Sequence, residues 1–249
     1  MPEPNGTTAP QLSVVVPVKD EAANVAPLAR EIAATLEGLP ASEIIFVDDG
    51  SSDGTAAELA RLKPEIGSLR ILRHSSNAGQ SRAIRTGVRA ARAPVIVTLD
   101  GDGQNDPADI PKLVAAFNAD RSGRVGLVSG IRKKRQDTFA RRAASRIANG
   151  VRSRLLGDGA VDTGCGLKAF RRDAFLALPY FDNLHRYLIT LMLREGFTVG
   201  YVDVNHRPRL HGRSKYTNFR RMMVGITDLM GVRWLQRRLK HPVETEEIA

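Results

Sequence analysis

The sequence predicts an α/β fold: an open, mostly parallel sheet flanked by helices, with amphipathic helices toward the C-terminus. Three observations predict it. Short Val- and Ile-rich runs alternate with helical patterns through the first half of the chain, as in a sheet wrapped by helices. The strand–helix spacing is short enough for right-handed crossovers between parallel strands. Acidic residues gather where the apolar runs stop, the edge at which open sheets carry their sites.

Taken in order, the predicted strands are Leu12–Val18, Glu43–Val47, Leu69–Leu72, Pro94–Leu99 and Val125–Ser129. The predicted helices between them are Ala22–Leu36, Thr55–Leu62, Ser81–Ala91 and Ala108–Phe117. Asp53 or Ser52 is expected to cap the second helix, and Asp106 before Pro107 marks the start of the fourth. After Gly130 the pattern changes to helices with basic faces. Asp137–Leu156 carries Phe139, Ala143, Ile147, Val151 and Leu155 at a spacing of four, a stripe suited to a core. Tyr216–Lys240 carries Phe219, Met222, Met223, Ile226, Leu229, Met230 and Trp234 between arginines, a pattern suited to an interface.

The 249 residues, 42% of them hydrophobic, suffice for one large domain. Residues 1–11 read as a flexible N-terminus and 241–249 as an acidic tail. Met1–Gln11 lacks the basic start and apolar run of a signal peptide, and no window reaches the ~18 apolar residues of a spanning helix. The chain is therefore expected to be soluble or peripheral. A single cysteine, Cys165, excludes an intrachain disulfide and suits a reducing compartment.

The net charge of +10 is uneven: Met1–Gly130 has 13 Lys/Arg against 16 Asp/Glu, and Ile131–Lys240 has 24 against 8. A basic half fits a polyanion, whether nucleic acid, anionic lipid or a phosphorylated substrate. Nucleic acid is the weakest of these, because few aromatics interleave with the charges and no zinc, RRM or KH pattern is present.

Two acidic motifs carry the chemistry. Asp100-Gly101-Asp102 follows a predicted strand, and two carboxylates one residue apart can share a hard divalent cation, with Gln104 as a further oxygen donor. Such a cation, Mg²⁺ or Mn²⁺, would neutralise a diphosphate leaving group. Asp48-Asp49-Gly50-Ser51-Ser52-Asp53-Gly54-Thr55 could accept hydrogen bonds from a base or ribose at a close turn, or could serve as an Asx-capped turn. No GxGxxG follows the first strand, so the dinucleotide fingerprint is absent.

These motifs, with Val16-Pro17-Val18-Lys19-Asp20-Glu21 and Asn77-Ala78-Gly79, resemble family 2 glycosyltransferases of the GT-A, Rossmann-like fold. Gly130-Ile131-Arg132, Arg141 to Asn149, Asp162-Thr163-Gly164-Cys165-Gly166 and Gly212-Arg213-Ser214-Lys215-Tyr216 resemble the dolichol- or polyprenyl-phosphate mannosyltransferase branch. The resemblance implies a catalytic domain over 12–215 and a docking helix over 216–240. It implies that Pro17, Val18, Glu21, Asp48, Asp49, Asn77, Gly79 and Gly101 frame the nucleotide-sugar, with Asp162 near the sugar. Asp100, Asp102 and Gln104 would hold the metal. Arg132, Arg141, Ser145, Arg213 and Lys215 would grip the donor and acceptor phosphates, as fixed cations do well.

The implied reaction moves a hexose, mannose by resemblance, from a nucleotide-sugar to a polyprenyl or dolichyl phosphate with inversion. UDP-glucose or a UDP-uronic acid is the alternative donor, and a saccharide the alternative acceptor. A lipid phosphate is already anionic, so no strong general base is needed. His74, His185, His206 and His211 accordingly read as structural or surface residues, His211 being closest to the basic motif. Several members of this branch carry transmembrane helices after the catalytic domain. Here the segment 216–240 is expected to dock the protein on the cytoplasmic face of the membrane, or a small membrane-protein partner to recruit it.

Overall fold

The computed structural model describes residues 9–132, 150, 152–209 and 218–238, with 218–223 described by backbone alone. Seven strands form one sheet: β1 (Leu12–Val18), β2 (Ser42–Asp48), β3 (Leu69–Arg73), β4 (Val95–Thr98), β5 (Val125–Arg132), β6 (Lys168–Arg171) and β7 (Thr198–Val204). Their spatial order is β3-β2-β1-β4-β6-β5-β7. Among the described residues the α-helices of six or more residues are α1 (Ala22–Leu36), α2 (Thr55–Leu62), α3 (Gln80–Ala90), α4 (Ile110–Asn118), α5 (Arg172–Ala177), α6 (Leu188–Arg194) and α7 (Asn218–Arg237).

The central strands are apolar on both sides because helices cover both faces of the sheet. Their period of two sorts the side chains. Val14, Val16, Ile44, Phe46 and Val97 face a core shared with α1, α2 and α4. Val15, Ile45, Val47 and Ile96 face a second core with α3, α5, α6 and α7. Each such side chain contributes roughly 1.5–3 kcal/mol when fully buried. In α1 the buried Val25, Leu28, Ala29, Ile32 and Leu36 follow the helical repeat.

Strands β1, β2, β3 and β4 are mutually parallel, and β5 and β7 are parallel to each other. Strand β6 runs antiparallel to both β4 and β5. Its first residue, Lys168, therefore pairs with Thr98 and Ser129. The start of β6 thus shares one sheet edge with the carboxyl ends of β1, β2, β4 and β5.

The predicted first-half elements are present, three with unchanged bounds and the others with boundary shifts of at most three residues. The predicted helix Ala108–Phe117 is a 3-10 turn, Pro107–Asp109, followed by α4, and Asp106 caps the turn by accepting from Ala108 N. After Gly130 the expectation of helices alone is corrected: β6 and β7 complete the sheet. Strand β6 has only four residues, too few to show a period. Strand β7 lies at the sheet edge with a mostly exposed or half-exposed pattern, so it lacks the apolar run of a central strand. Most of the predicted helix Asp137–Leu156 lies outside the described residues; 152–156 is helical.

Helix α7 buries Val232 and half-buries Leu229 and Leu235 against the second core. Tyr187 Oη donates to Gly225 O at 3.3 Å, and Gln236 Nε2 to Leu156 O at 2.8 Å. Ile226, Met230 and Trp234 point outward, 50%, 60% and 57% exposed. No described helix is long and apolar enough to cross a membrane.

Candidate active site

Asp100 and Asp102 follow β4 at the shared edge. The turn is possible because residue 101 is glycine: a Cβ there would overlap the Val18 side chain and come within 2.9 Å of Pro17 O. Gly166 is needed for a second close approach, since a Cβ on it would overlap the Asp100 carboxylate. Asp100 Oδ1 accepts from Gln80 Nε2 at 2.8 Å, and its backbone N donates to Asn105 Oδ1 at 3.0 Å. Burial first, and Asp102 second, push the Asp100 carboxyl up to about 6, against the pull of Lys168, Arg132 and Gln80.

That arrangement is the observation that fits a divalent cation, because a buried carboxyl beside a second, half-exposed acid is relieved by positive charge. The donors are all hard oxygens, as Mg²⁺ and Mn²⁺ prefer. Gln104 lies beside them, its backbone N donating to Asp102 Oδ1 at 3.1 Å. Among the described residues no cluster of three or more His, Cys, Asp or Glu forms a closed metal cage. An ion here would complete its shell with water and substrate phosphate, the usual Mg²⁺ arrangement.

A cavity of about 200 Å³ opens beside Asp100, its wall including Pro17, Gln80, Gly164, Lys168, His185 and Arg186. Lys168 is buried and donates to Cys165 O; burial pulls its pKa down while Cys165, Asp100 and Asp162 hold it up. His185 Nδ1 pairs with Ser81 Oγ at 2.7 Å. Burial, then Arg186 and Lys168, lower its pKa to about 3, so the imidazole is neutral at pH 7. His185 is thus a fixed wall of the cavity rather than a titrating base.

The residues expected to frame the nucleoside lie along the same edge. Pro17 lines the cavity, and Val18 is buried behind Gly101. Asp49 is committed to the chain itself: it accepts from Ala78 N and Gly79 N, both at 2.8 Å, and pairs with His74 Nδ1 at 2.7 Å. It therefore fixes the loop carrying Asn77 and Gly79, and His74, also bonded to Thr86 Oγ1, is structural. Asp48 is fully buried; Oδ1 accepts from Ser51 N at 2.9 Å, and Oδ2 has Arg73 Nε at 3.2 Å but no aligned hydrogen bond. Glu21 accepts from Asn24 and Arg209. Asp53 accepts from Thr55 N and Ala22 N, serving the starts of α2 and α1.

Arg132 ends β5 at this edge, but its guanidinium forms a two-pronged pair with Asp162 at 2.7 and 2.8 Å. The two are brought together, and Asp162 holds Arg132 in place. Arg141, Ser145, His211, Arg213 and Lys215 lie outside the described residues.

Gln80, Lys168, His185, Arg186 and Arg209 were not singled out as site residues from the sequence. Arg209 joins the site by donating to Glu21, with Nη1 3.9 Å from Asp102 Oδ2. Only the glycine-rich run 164–166 signals a close approach at that point in the chain. The side chains of Gln80 and Lys168 carry no local pattern.

Comparisons with known proteins agree with this geometry. The family model described as "Glycosyl transferase family 2" matches residues 13–178. Dodecaprenyl-phosphate galacturonate synthase from Rhizobium johnstonii is 35% identical over 237 residues, covering 93% of this chain and 69% of that protein. Undecaprenyl-phosphate 4-deoxy-4-formamido-L-arabinose transferase from Edwardsiella ictaluri is 35% identical over 207 residues, covering 82% of this chain and 62% of that protein. The chain thus spans about two thirds of the length of these relatives. Among solved structures, glucosyl-3-phosphoglycerate synthase from Mycobacterium tuberculosis, in complex with Mn²⁺, UDP-glucose and phosphoglyceric acid, superposes with a TM-score of 0.68 at 17% identity. That match covers 92% of this chain and 80% of the other, and it supports the GT-A fold.

Proposed function

The chain belongs to glycosyl transferase family 2, and we propose that it transfers a sugar from a nucleotide-sugar to a polyprenyl phosphate at the cytoplasmic face of a membrane. The observation that carries this reading is the Asp100–Asp102 pair beside the Lys168- and Arg186-lined cavity, in a chain whose relatives bear polyprenyl-phosphate transferase names.

The proposed reaction is a single displacement with inversion. An oxygen of the acceptor phosphate forms a bond to the anomeric carbon, and the bond from that carbon to the donor diphosphate breaks. A nucleoside diphosphate leaves. The acceptor arrives as an anion, so the protein's task is to position it and to balance charge. Asp100, Asp102 and Gln104 would hold a divalent ion, which would supply charge neutralisation to the departing diphosphate. Gln80 orients Asp100, and Asp49 holds the loop of Asn77 and Gly79 for the nucleoside. Arg132, positioned by Asp162, contributes positive charge, and Arg141, Ser145, Arg213 and Lys215 are proposed to complete the phosphate grip. The segment 216–240 is proposed to bring the site to the membrane, directly or through a small membrane-protein partner.

One feature favours a donor sugar bearing a carboxylate over mannose: two cations, Lys168 and Arg186, line the cavity that would receive it. The deciding experiment incubates the protein with undecaprenyl phosphate in detergent, Mg²⁺ or Mn²⁺, and a panel of GDP-mannose, UDP-glucose and UDP-uronic acids. Lipid-linked sugar and free nucleoside diphosphate are expected from one donor, and EDTA is expected to stop their formation. Transfer to saccharide acceptors with none to the lipid phosphate would overturn the reading.

A further inference from the structure

We propose that the outer face of α3 is a binding surface for anionic phospholipid headgroups, which works beside α7 to hold the mouth of the site against the bilayer. Between Glu65 and Asp100 the chain has six arginines and no acidic residue. Helix α3 turns Ala83, Ile84, Gly87 and Val88 into the molecule. That leaves Arg82, Arg85 and Arg89 in one row on the opposite side, at spacings of three and four. Like charges at such spacing repel along a helix.

No acidic side chain among the described residues pairs with the row to relieve that repulsion; an aromatic ring does so in part. Arg82 and Arg85 stack over the Tyr180 ring at 4.1 and 5.0 Å. None of the three arginines has a carboxylate partner among the described residues, and Arg85 Nη1 is buried without a hydrogen bond. Burial first, then Arg89 and Arg82, lower the pKa of Arg85. The row is a concentrated positive charge, exposed at Arg82 and Arg89 and half-exposed at Arg85.

Its position suggests the occupant. Gln80, at the start of α3, bonds to Asp100, so the row begins at the mouth of the site and runs away from it. Helix α7 packs on the same core as α3, so both helices belong to the layer on that side of the sheet. The outward Ile226, Met230 and Trp234 thus belong to the same layer of helices as the arginine row. Apolar side chains with a tryptophan suit the acyl boundary, and arginines suit anionic headgroups. A bilayer presents both chemistries at once.

This inference rests on the membrane reading of the acceptor, and the test separates the two. Flotation of the full chain is compared on vesicles of phosphatidylcholine alone and of phosphatidylcholine with 30% phosphatidylglycerol. Binding is expected only to the latter, and weakened at 0.5 M salt. The triple variant Arg82→Gln/Arg85→Gln/Arg89→Gln is expected to lose roughly 100-fold in partitioning, about fivefold for each charge. The matched variant Arg82→Lys/Arg85→Lys/Arg89→Lys is expected to retain binding, which excludes misfolding as the cause of a loss. A control triple, Lys63→Gln/Arg121→Gln/Arg124→Gln, removes equal charge elsewhere and is expected to lose little. Wild-type binding by the glutamine triple, or equal loss by the control, would overturn the proposal. Transfer to a short, water-soluble polyprenyl phosphate reports the acceptor reading by itself and is expected to be unchanged in the glutamine triple.

Discussion

Asp100 shows how one side chain can be both necessary and destabilising. Its carboxyl titrates near 6 in the folded chain, pushed up by burial and by Asp102, whereas an unfolded aspartate titrates near 3.9. The folded state therefore holds the proton more tightly. The linked stability is fully present below the unfolded pKa and is lost as pH rises through about 6. At pH 7.5 without metal, Asp100→Asn should raise stability by on the order of 3 kcal/mol, seen as a higher melting midpoint. The gap should close toward pH 4, while transfer falls by roughly 100-fold or more at all pH values. A variant no more stable than the parent at pH 7.5 would show that the acid pair is not strained. The pair itself was legible in the sequence, because two aspartates around a glycine after an apolar run form a local pattern. Gln80 and Lys168 were not, because their approach to Asp100 depends on α3 and β6 docking from 20 and 68 residues away.

At the scale of elements, loops and helices are held by particular anchors. Asp49 fastens the loop after β3 through bonds from Ala78, Gly79 and His74. Hydrogen bonds to a charged group contribute about 1.5–3 kcal/mol each, so Asp49→Ala should cost at least ~3 kcal/mol and raise KM for the nucleotide-sugar. Chemical denaturation and initial-rate kinetics check both; raised KM with unchanged stability would make Asp49 a ligand contact only. Helix α7 divides its work between faces. Val232→Ala removes two buried methyl groups and should cost about 1–2 kcal/mol. Trp234→Ser, on the exposed face, should change stability by less than about 0.5 kcal/mol yet weaken vesicle binding, as melting and co-sedimentation would show. The sequence pattern identified this helix and its basic flanks. It did not say which apolar residues the core would claim, since Leu229, Val232 and Leu235 are selected by contact with the second core.

For the molecule as a whole, the site is an assembly of strand ends rather than a segment. If a divalent ion is shared between Asp100, Asp102 and a diphosphate, metal and nucleotide should bind cooperatively. Mn²⁺ or Mg²⁺ with a nucleoside diphosphate should raise the melting midpoint more than the sum of each alone; at 100 times Kd, a ligand adds about 2.7 kcal/mol. Simple additivity would argue against a shared ion. The first-half fold, the acidic edge and the basic second half were determined by the sequence alone, because apolar period, turn residues and charge are local properties of the chain. The seven-strand order with antiparallel β6, the Arg132–Asp162 pair, and the meeting of Gln80, Asp100, Lys168 and His185 at one cavity were decided only by the tertiary structure. The physical reason is that these contacts join residues distant along the chain, and their geometry exists only after both faces of the sheet have been packed.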